Sequence, residues 1–493
     1  MSEAIVVGAG VGGLAAALRL QAQGHLVTVL EQAAEIGGKL GVVEKDGFVF
    51  DTGPSLVTMP QVLRDLFAAT GGRLDDYVEL QRLEIAARYR FPDGTDLDLP
   101  GDLAAIPEAL DAALGPGRGD QWSSFLARAQ SIWDLTHETF LESPIGVGSL
   151  VSASRPRNVA TIAPWQTLRG VGRHHLHDPR LRMLLDRYAT YTGSDPRRAP
   201  AALASVPWAE QAWGSWYVPG GLGRIATAIR ERLEQLGGVV ETGCAVAEIP
   251  TNRRGRADGV VLADGTRRCA EVIVANADAE QVYGHLLKNR GAARALRRIR
   301  RATPSLSGFV LLLAVDDPPP QPHHHILFAE DYDAEFDAVF GRHGPPRPVP
   351  RPTVYVSAPD DPAIVPGPKT GAWFVLVNAP RHDPDAGMDW DADGLADRYA
   401  DAILDVMADR GLELRKNLRH RIILTPADLE RRTRTPGGSI YGTSSNGPRA
   451  AFLRPRNASP VPGLYLVGGS AHPGGGLPLV MLSAQIVADL VGS

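Results

Sequence analysis

Ile5-Val6-Val7 forms a short apolar run with no polar interruption, and the glycine-rich segment Gly8-Ala9-Gly10-Val11-Gly12-Gly13 follows it at once. Such a run closed by glycine reads as a buried strand entering a tight turn. Leu14 to Leu20 is apolar over nearly its whole length and predicts a buried helix. Leu26-Val27-Thr28-Val29-Leu30 then reads as a second strand, and it ends on Glu31.

Two later blocks repeat this grammar. After Tyr217-Val218-Pro219-Gly220-Gly221, the pattern predicts a helix over Ile225 to Leu236 and a strand at Val239-Val240. A hairpin through Ala263-Asp264-Gly265-Thr266 and a strand from Glu271 to Asn276 follow. Near the C-terminus, Leu464-Tyr465-Leu466-Val467-Gly468-Gly469 is a strand running into a glycine turn. Pro478 to Val491 carries an apolar stripe at Leu479, Leu482, Ile486 and Leu490, the spacing of a helix.

The stretches between these blocks are patterned differently. Residues 86–218 open with the hairpin-like Tyr89-Arg90-Phe91-Pro92-Asp93-Gly94-Thr95 and continue with mostly helical periodicity. Residues 301–435 mix strands such as Phe309 to Ala314 and Trp373 to Asn378 with loops marked by Pro318-Pro319-Pro320 and Pro345-Pro346. The expected class is α/β. A Rossmann-type domain would be assembled from 1–85, 219–300 and 436–493, with an α+β domain from 86–218 and 301–435 interleaved.

Composition narrows the setting. The chain has 493 residues, 44% hydrophobic and 22% charged, as expected of a globular protein with a large core. A formal net charge of −5 is too mild to suggest a polyanionic partner, and no basic run with interleaved aromatics points to nucleic acid. Cys244 and Cys269 make no C-x-x-C pair or metal cluster, which points to a reduced, cytoplasmic setting. The adjacent His323-His324-His325 lack the spacing of a metal site, and no metal is expected. The N-terminus has no basic region of a secretory signal. The longest apolar run, Leu306 to Val315, is about half of what a membrane-spanning helix needs.

The first turn carries the clearest chemistry. Gly8, Gly10 and Gly13 make a G-x-G-x-x-G between strand and helix, and Glu31 follows Gly13 by 31 − 13 = 18 residues. The first glycine permits the tight turn, the second lets the backbone approach a pyrophosphate, and the third packs helix against strand. The helix N-terminus faces the phosphates, and a carboxylate such as Glu31 holds a free ribose diol, so FAD or NAD is favoured over NADP. The fingerprint occurs once, so a single dinucleotide is expected.

Glu35-Ile36-Gly37-Gly38-Lys39 and Phe48-Val49-Phe50-Asp51-Thr52-Gly53-Pro54 extend that signal. Together these elements resemble the long FAD fingerprint of amine-oxidase-like flavoproteins, whose FAD domain is of the glutathione-reductase type. The C-terminal Gly468-Gly469-Ser470-Ala471-His472-Pro473-Gly474-Gly475-Gly476-Leu477-Pro478 resembles the closing motif of the bacterial carotenoid (phytoene) desaturases. Typical amine oxidases carry an acidic residue after the first glycine there, and many attach FAD through a nearby Cys. This chain has Gly469 and Ser470, and no Cys after Cys269. Arg187-Tyr188-Ala189-Thr190-Tyr191 and Gly438-Ser439-Ile440-Tyr441-Gly442 lean toward the hydroxycarotenoid 3,4-desaturase branch.

The resemblance implies an FAD-dependent oxidoreductase of carotenoid biosynthesis. A hydride would leave a long polyene for the flavin N5 and a proton would leave the neighbouring carbon, introducing a C=C bond. Phytoene, neurosporene and hydroxycarotenoid substrates all remain open, as do an FAD oxidase of an amine or other metabolite and a non-catalytic lipid-binding protein of the same fold. The implied FAD contacts are Gly8, Gly10 and Gly13 at the phosphates and Glu31 at the ribose. Lys39 and Gly53 would lie near the pyrophosphate and flavin, Val246 at the adenine, and Gly469 and Val480 at the flavin end. No catalytic residue is assigned; His472, Asp195 and Arg187 are the weighed candidates. The implied partners are a hydrophobic polyene, the inner face of the cell membrane as a peripheral contact, and oxygen or a quinone as electron acceptor. Arg155-Pro156-Arg157 through Arg173, with Val159, Ile162, Trp165 and Leu168, is the candidate membrane patch.

Overall fold

The strand Glu3–Val7 sits at the centre of a five-stranded parallel sheet. The order is Leu464–Leu466, Val272–Ala275, Glu3–Val7, Leu26–Leu30, Val239–Glu241. The computed structural model describes residues 2–144, 156–447 and 450–492. All three sequence blocks read as strand and glycine turn therefore meet in one sheet. Val6, Val29, Ile273 and Val274 are completely buried, as strands covered on both faces require.

The helix Val11–Ala22 is alanine-rich and buried along most of its length. It packs against the C-terminal helix Leu477–Gly492 and the helix Arg224–Gln235. Small side chains let the three helices approach closely while Leu14 and Leu18 fill the space between them. The expected hairpin at Ala263–Thr266 joins Gly259–Leu262 to Arg267–Cys269.

A second, seven-stranded sheet has the order Leu418–Leu424, Ser307–Asp316, Thr370–Ala379, Val354–Ser357, His324–Leu327, Ile85–Arg90, Asp96–Pro100. The hairpin around Tyr89 thus joins strands more than 200 residues away, with Tyr89 beside Ile326. The ten-residue strand Ser307–Asp316 shows why alternation matters. Phe309, Leu311 and Leu313 pack beneath the helix Leu395–Asp409, while Val310 and Leu312 face the opposite side with Phe374. The apolar run Leu306 to Val315 is mostly this strand, and among the described residues no helix is long and apolar enough to cross a membrane.

The helical stretch packs Trp122, Phe125 and Ala129 of the helix Arg118–Thr136 against Leu181, Leu184 and Tyr188. A cavity of about 950 Å³ lies where the two sheets and this helical layer meet.

Candidate active site

The cavity floor begins at the first glycine turn. Gly8 adopts φ +99°, a left-handed conformation that a side chain disfavours. A Cβ on Gly13 would fall 2.2 Å from the Gly8 carbonyl oxygen, so this glycine is the close-packing one and does not line the cavity. Gly8, Gly10, Glu31, Lys39, Gly53, Val246, Gly469 and Val480 do line it.

Glu31 is buried and both carboxylate oxygens are engaged. Oε2 accepts from the Ala9 amide at 2.7 Å and Oε1 from the Ala33 amide at 2.9 Å. The side chain thereby locks the glycine turn to the end of the second strand, leaving further lone pairs toward the cavity.

The Gly37-Gly38 loop lies beside the first turn, where the Gly37 amide donates to the Ala9 carbonyl at 2.9 Å. A Cβ on Gly53 would fall 1.9 Å from the Lys39 carbonyl oxygen, which explains why the two segments can touch only through glycine. The Lys39 side chain is half-buried and its ammonium donates to the carbonyls of Ser439 at 3.0 Å and Ile440 at 2.6 Å. Burial pushes its pKa down to about 8, opposed by nearby Asp278.

Three residues that no local motif signalled complete this wall. Asn276 stands between the two glycine turns, its Nδ2 donating to the Gly8 carbonyl at 3.3 Å. Asp278 caps a short helical turn through the Glu280 amide at 2.8 Å, and burial raises its pKa against the pull of Lys39. The Arg454 guanidinium donates to the carbonyls of Gly469 at 2.7 Å, Thr443 at 2.8 Å and Tyr441 at 3.0 Å. Desolvation lowers its pKa to about 10, with Asp278 acting in the other direction. Lys39 and Arg454 place two cations beside the glycine turns, where an anionic group of a ligand would be met by positive charge. Glycine turns that leave room for a pyrophosphate, with this charge beside them, fit a dinucleotide.

The three weighed catalytic candidates separate. His472 is buried, its Nε2 hydrogen-bonds the Ser143 carbonyl at 3.0 Å, and burial drives its pKa down to about 4. Its imidazole is neutral at neutral pH. Asp195 is buried but does not line the cavity; its carboxylate pairs with Arg197 at 2.8 Å. Arg187 does line the cavity. His324, from the histidine triplet, sets Nδ1 3.0 Å from the Ala86 carbonyl and Nε2 3.3 Å from the Ser55 carbonyl, and the neutral ring donates to one of the two, a tie between sheet and loop.

Beyond the glycine turns the lining becomes apolar. Val310, Phe374, Leu376 and Leu424 contribute from the second sheet, and Trp133, Phe140, Val159 and Ile162 from the helical layer. Next to Pro164, also in the lining, Trp165 is 67% exposed. The sequence patch around it is only partly a surface. Leu168 is buried and Arg169 is held by Asp186 at 2.7 Å and Asp333 at 2.6 Å. Arg173 is exposed, and Arg155 lies outside the described residues.

Residues 11–492 match the family described as flavin containing amine oxidoreductase. The chain belongs to that family. Its cofactor is a flavin, and the dinucleotide turn makes the flavin FAD. This flavoprotein is 35% identical to a 4,4'-diapolycopene oxygenase of Methylomonas sp, over 99% of this chain and 97% of that protein. It is 34% identical to a hydroxyneurosporene desaturase of Rubrivivax gelatinosus, over 98% and 92%. A 1-hydroxycarotenoid 3,4-desaturase of Flavobacterium sp. is 31% identical, over 100% and 99%. Among solved structures, an oxidoreductase from Methanosarcina mazei shares the fold with a TM-score of 0.67 at 16% identity, covering 100% of both chains. The flavoprotein is accordingly an oxidoreductase with the amine-oxidase fold.

Proposed function

We propose that this flavoprotein is an FAD-dependent desaturase of a long, carotenoid-type polyene. The observation that carries the reading is the continuity of the cavity: polar glycine turns at one end and a wall of Val310, Phe374, Leu376 and Leu424 beyond them. A chain without polar groups is held there by area rather than by hydrogen bonds. The names of the full-length relatives, which include desaturases of hydroxyneurosporene and 1-hydroxycarotenoid, support it. The second of these names sets a hydroxyl at carbon 1 and the desaturation at carbons 3 and 4; a comparable substrate is proposed for this chain.

Bound FAD supplies the acceptor of a hydride from carbon. In this reading Gly8, Gly10 and Gly13 shape the phosphate cradle, Glu31 takes the ribose, and Lys39 and Gly53 hold the pyrophosphate side. Val246 meets the adenine, and Gly469 and Val480 meet the flavin ring. The apolar walls orient the polyene and exclude water from the reacting bond. Segments 1–85, 219–300 and 436–493 act as the cofactor unit, and 86–218 with 301–435 as the substrate unit. Trp165 and Arg173 rest on the headgroup region of the inner membrane face, so that the polyene enters beside Val159 and Ile162. Oxygen or a quinone reoxidises the flavin.

The test is expression in bacteria that accumulate phytoene, neurosporene or 1-hydroxylated carotenes, with pigment extraction. A product with a longer conjugated chain in one strain identifies the step. A product that has gained oxygen instead assigns oxygenase chemistry. Unchanged pigments from a protein that carries FAD refute carotenoid desaturation and favour an amine or another metabolite.

A further inference from the structure

Arg187 ends the helix Pro179–Arg187 and is 8% exposed. Its guanidinium lies 5.1 Å from the ring centre of Tyr191, 5.5 Å from Tyr355 and 5.8 Å from Tyr89. Nη1 donates to the Tyr191 hydroxyl at 2.9 Å. Among the described residues, no carboxylate comes within ion-pair distance of it. Glu210, also in the cavity lining, accepts from the Tyr188 hydroxyl through Oε1 at 2.8 Å and keeps Oε2 without a hydrogen bond; its charge favours the Arg187 cation without an ion pair.

A guanidinium has five N–H donors, and a neutral hydroxyl accepts one of them here. The tyrosine faces supply part of the lost hydration through cation–π attraction. The surrounding tyrosines and the Glu210 charge keep the group a cation despite its burial, yet they leave most of its N–H donors without an acceptor, and a pure hydrocarbon in the cavity would offer none. The Tyr355 hydroxyl is engaged with Ser55 Oγ at 2.5 Å.

The cluster also has a definite place. A Cβ on Gly193, two residues after Tyr191, would lie 3.0 Å from the Tyr441 ring, and one on Gly475 would lie 2.4 Å from the other edge of that ring. Tyr441 therefore bridges the Arg187 cluster to the closing glycine loop, the proposed flavin end.

We propose that Arg187 and Tyr191 determine specificity by receiving an acceptor oxygen of the substrate, a hydroxyl or carbonyl a few carbons from the reacting bond. This rests on the polyene reading above and names the residues that recognise the oxygen. A site built to hydrogen-bond an oxygen discriminates against the analogue lacking it far more strongly than an apolar pocket discriminates by shape.

The test uses full-length protein with FAD in lipid vesicles and acyclic polyenes of equal length and conjugation. One is a hydrocarbon, one carries a terminal tertiary hydroxyl, and one a terminal aldehyde. The wild type is expected to prefer an oxygenated polyene by about tenfold or more in kcat/KM, and the better of the two arms identifies the oxygen. Arg187→Gln should bring the ratio near unity, and Tyr191→Phe should lower it less. Arg187→Lys should restore part of it.

Equal kcat/KM for all three polyenes in the wild type overturns the proposal, as does an unchanged ratio in flavin-loaded Arg187→Gln. Should Arg187→Gln fail to hold FAD, an unchanged ratio in Tyr191→Phe decides against it. If the wild type turns over no polyene while loaded with FAD, the broader reading has failed by itself. Quenching of protein fluorescence by the same three compounds then decides the oxygen preference on its own: tighter binding of an oxygenated compound supports it, and equal binding overturns it.

Discussion

Asn276 and Gly468 meet edge to backbone: a Cβ on Gly468 would lie 2.4 Å from Asn276 Oδ1. The same side chain crowds Gly10, where a Cβ would come within 2.8 Å of Nδ2, and donates to the Gly8 carbonyl at 3.3 Å. One amide therefore holds the N-terminal and C-terminal glycine turns at a fixed spacing. Gly468→Ala also places a side chain at φ +99°. Gly468→Ala and Gly10→Val should each abolish flavin retention, read as the ratio of visible to ultraviolet absorbance of purified protein. Asn276→Ala should weaken FAD about tenfold and keep the fold. Full occupancy in Gly10→Val would remove this turn from the cofactor site.

Glu31 ties down two backbone amides, Ala9 and Ala33. Glu31→Ala leaves both without a partner in a buried place, at about 1–3 kcal/mol each. The variant should melt several degrees lower by calorimetry and lose most of its FAD. Glu31→Gln keeps an acceptor for one amide and should fall between. A melting point equal to wild type in Glu31→Ala would mean that water replaces the carboxylate.

Acid should destabilise the protein before it reaches the ordinary carboxylate range. Burial lowers His324, His325 and His472 to about 4 from an ordinary 6.5. Below pH 6.5 the unfolded chain takes up protons that these folded imidazoles refuse, so their contribution is present above 6.5 and lost as pH falls toward 4. Asp51 and Asp186, raised by burial to about 6, act oppositely between 3.8 and 6 and blunt the lower part of the fall. Melting temperature should drop by a few degrees from pH 7 to pH 5, with a shallower slope in His325→Asn. A flat profile across that window would contradict the burial of these rings.

Trp165 offers a separate test of where the substrate enters. It is exposed beside the cavity-lining Pro164. Trp165→Ser should reduce sedimentation with anionic vesicles several-fold and leave flavin absorbance unchanged, because the side chain touches no part of the cofactor cradle. Vesicle binding equal to wild type would place the membrane contact elsewhere.

Local periodicity and glycine spacing sufficed to identify the first glycine turn, the flanking strands and the three blocks that share the parallel sheet. Those features depend on short-range backbone demands: an apolar run to bury, a turn that tolerates φ above zero, and a stripe along one helix face. The helices expected over Ile225 to Leu236 and Pro478 to Val491 are found at Arg224–Gln235 and Leu477–Gly492. Asn276, Asp278 and Arg454 carried no such sign, since an isolated amide, acid or guanidinium has no period. Only the folded chain brings residues 31, 39, 276, 454 and 469 to one wall. The same holds for Arg187, whose sequence neighbours Tyr188 and Tyr191 were legible but whose Tyr89 and Tyr355 arrive from other strands of the second sheet. Burial and the loss of water decide what a charge there can do, and both are properties of the tertiary structure alone.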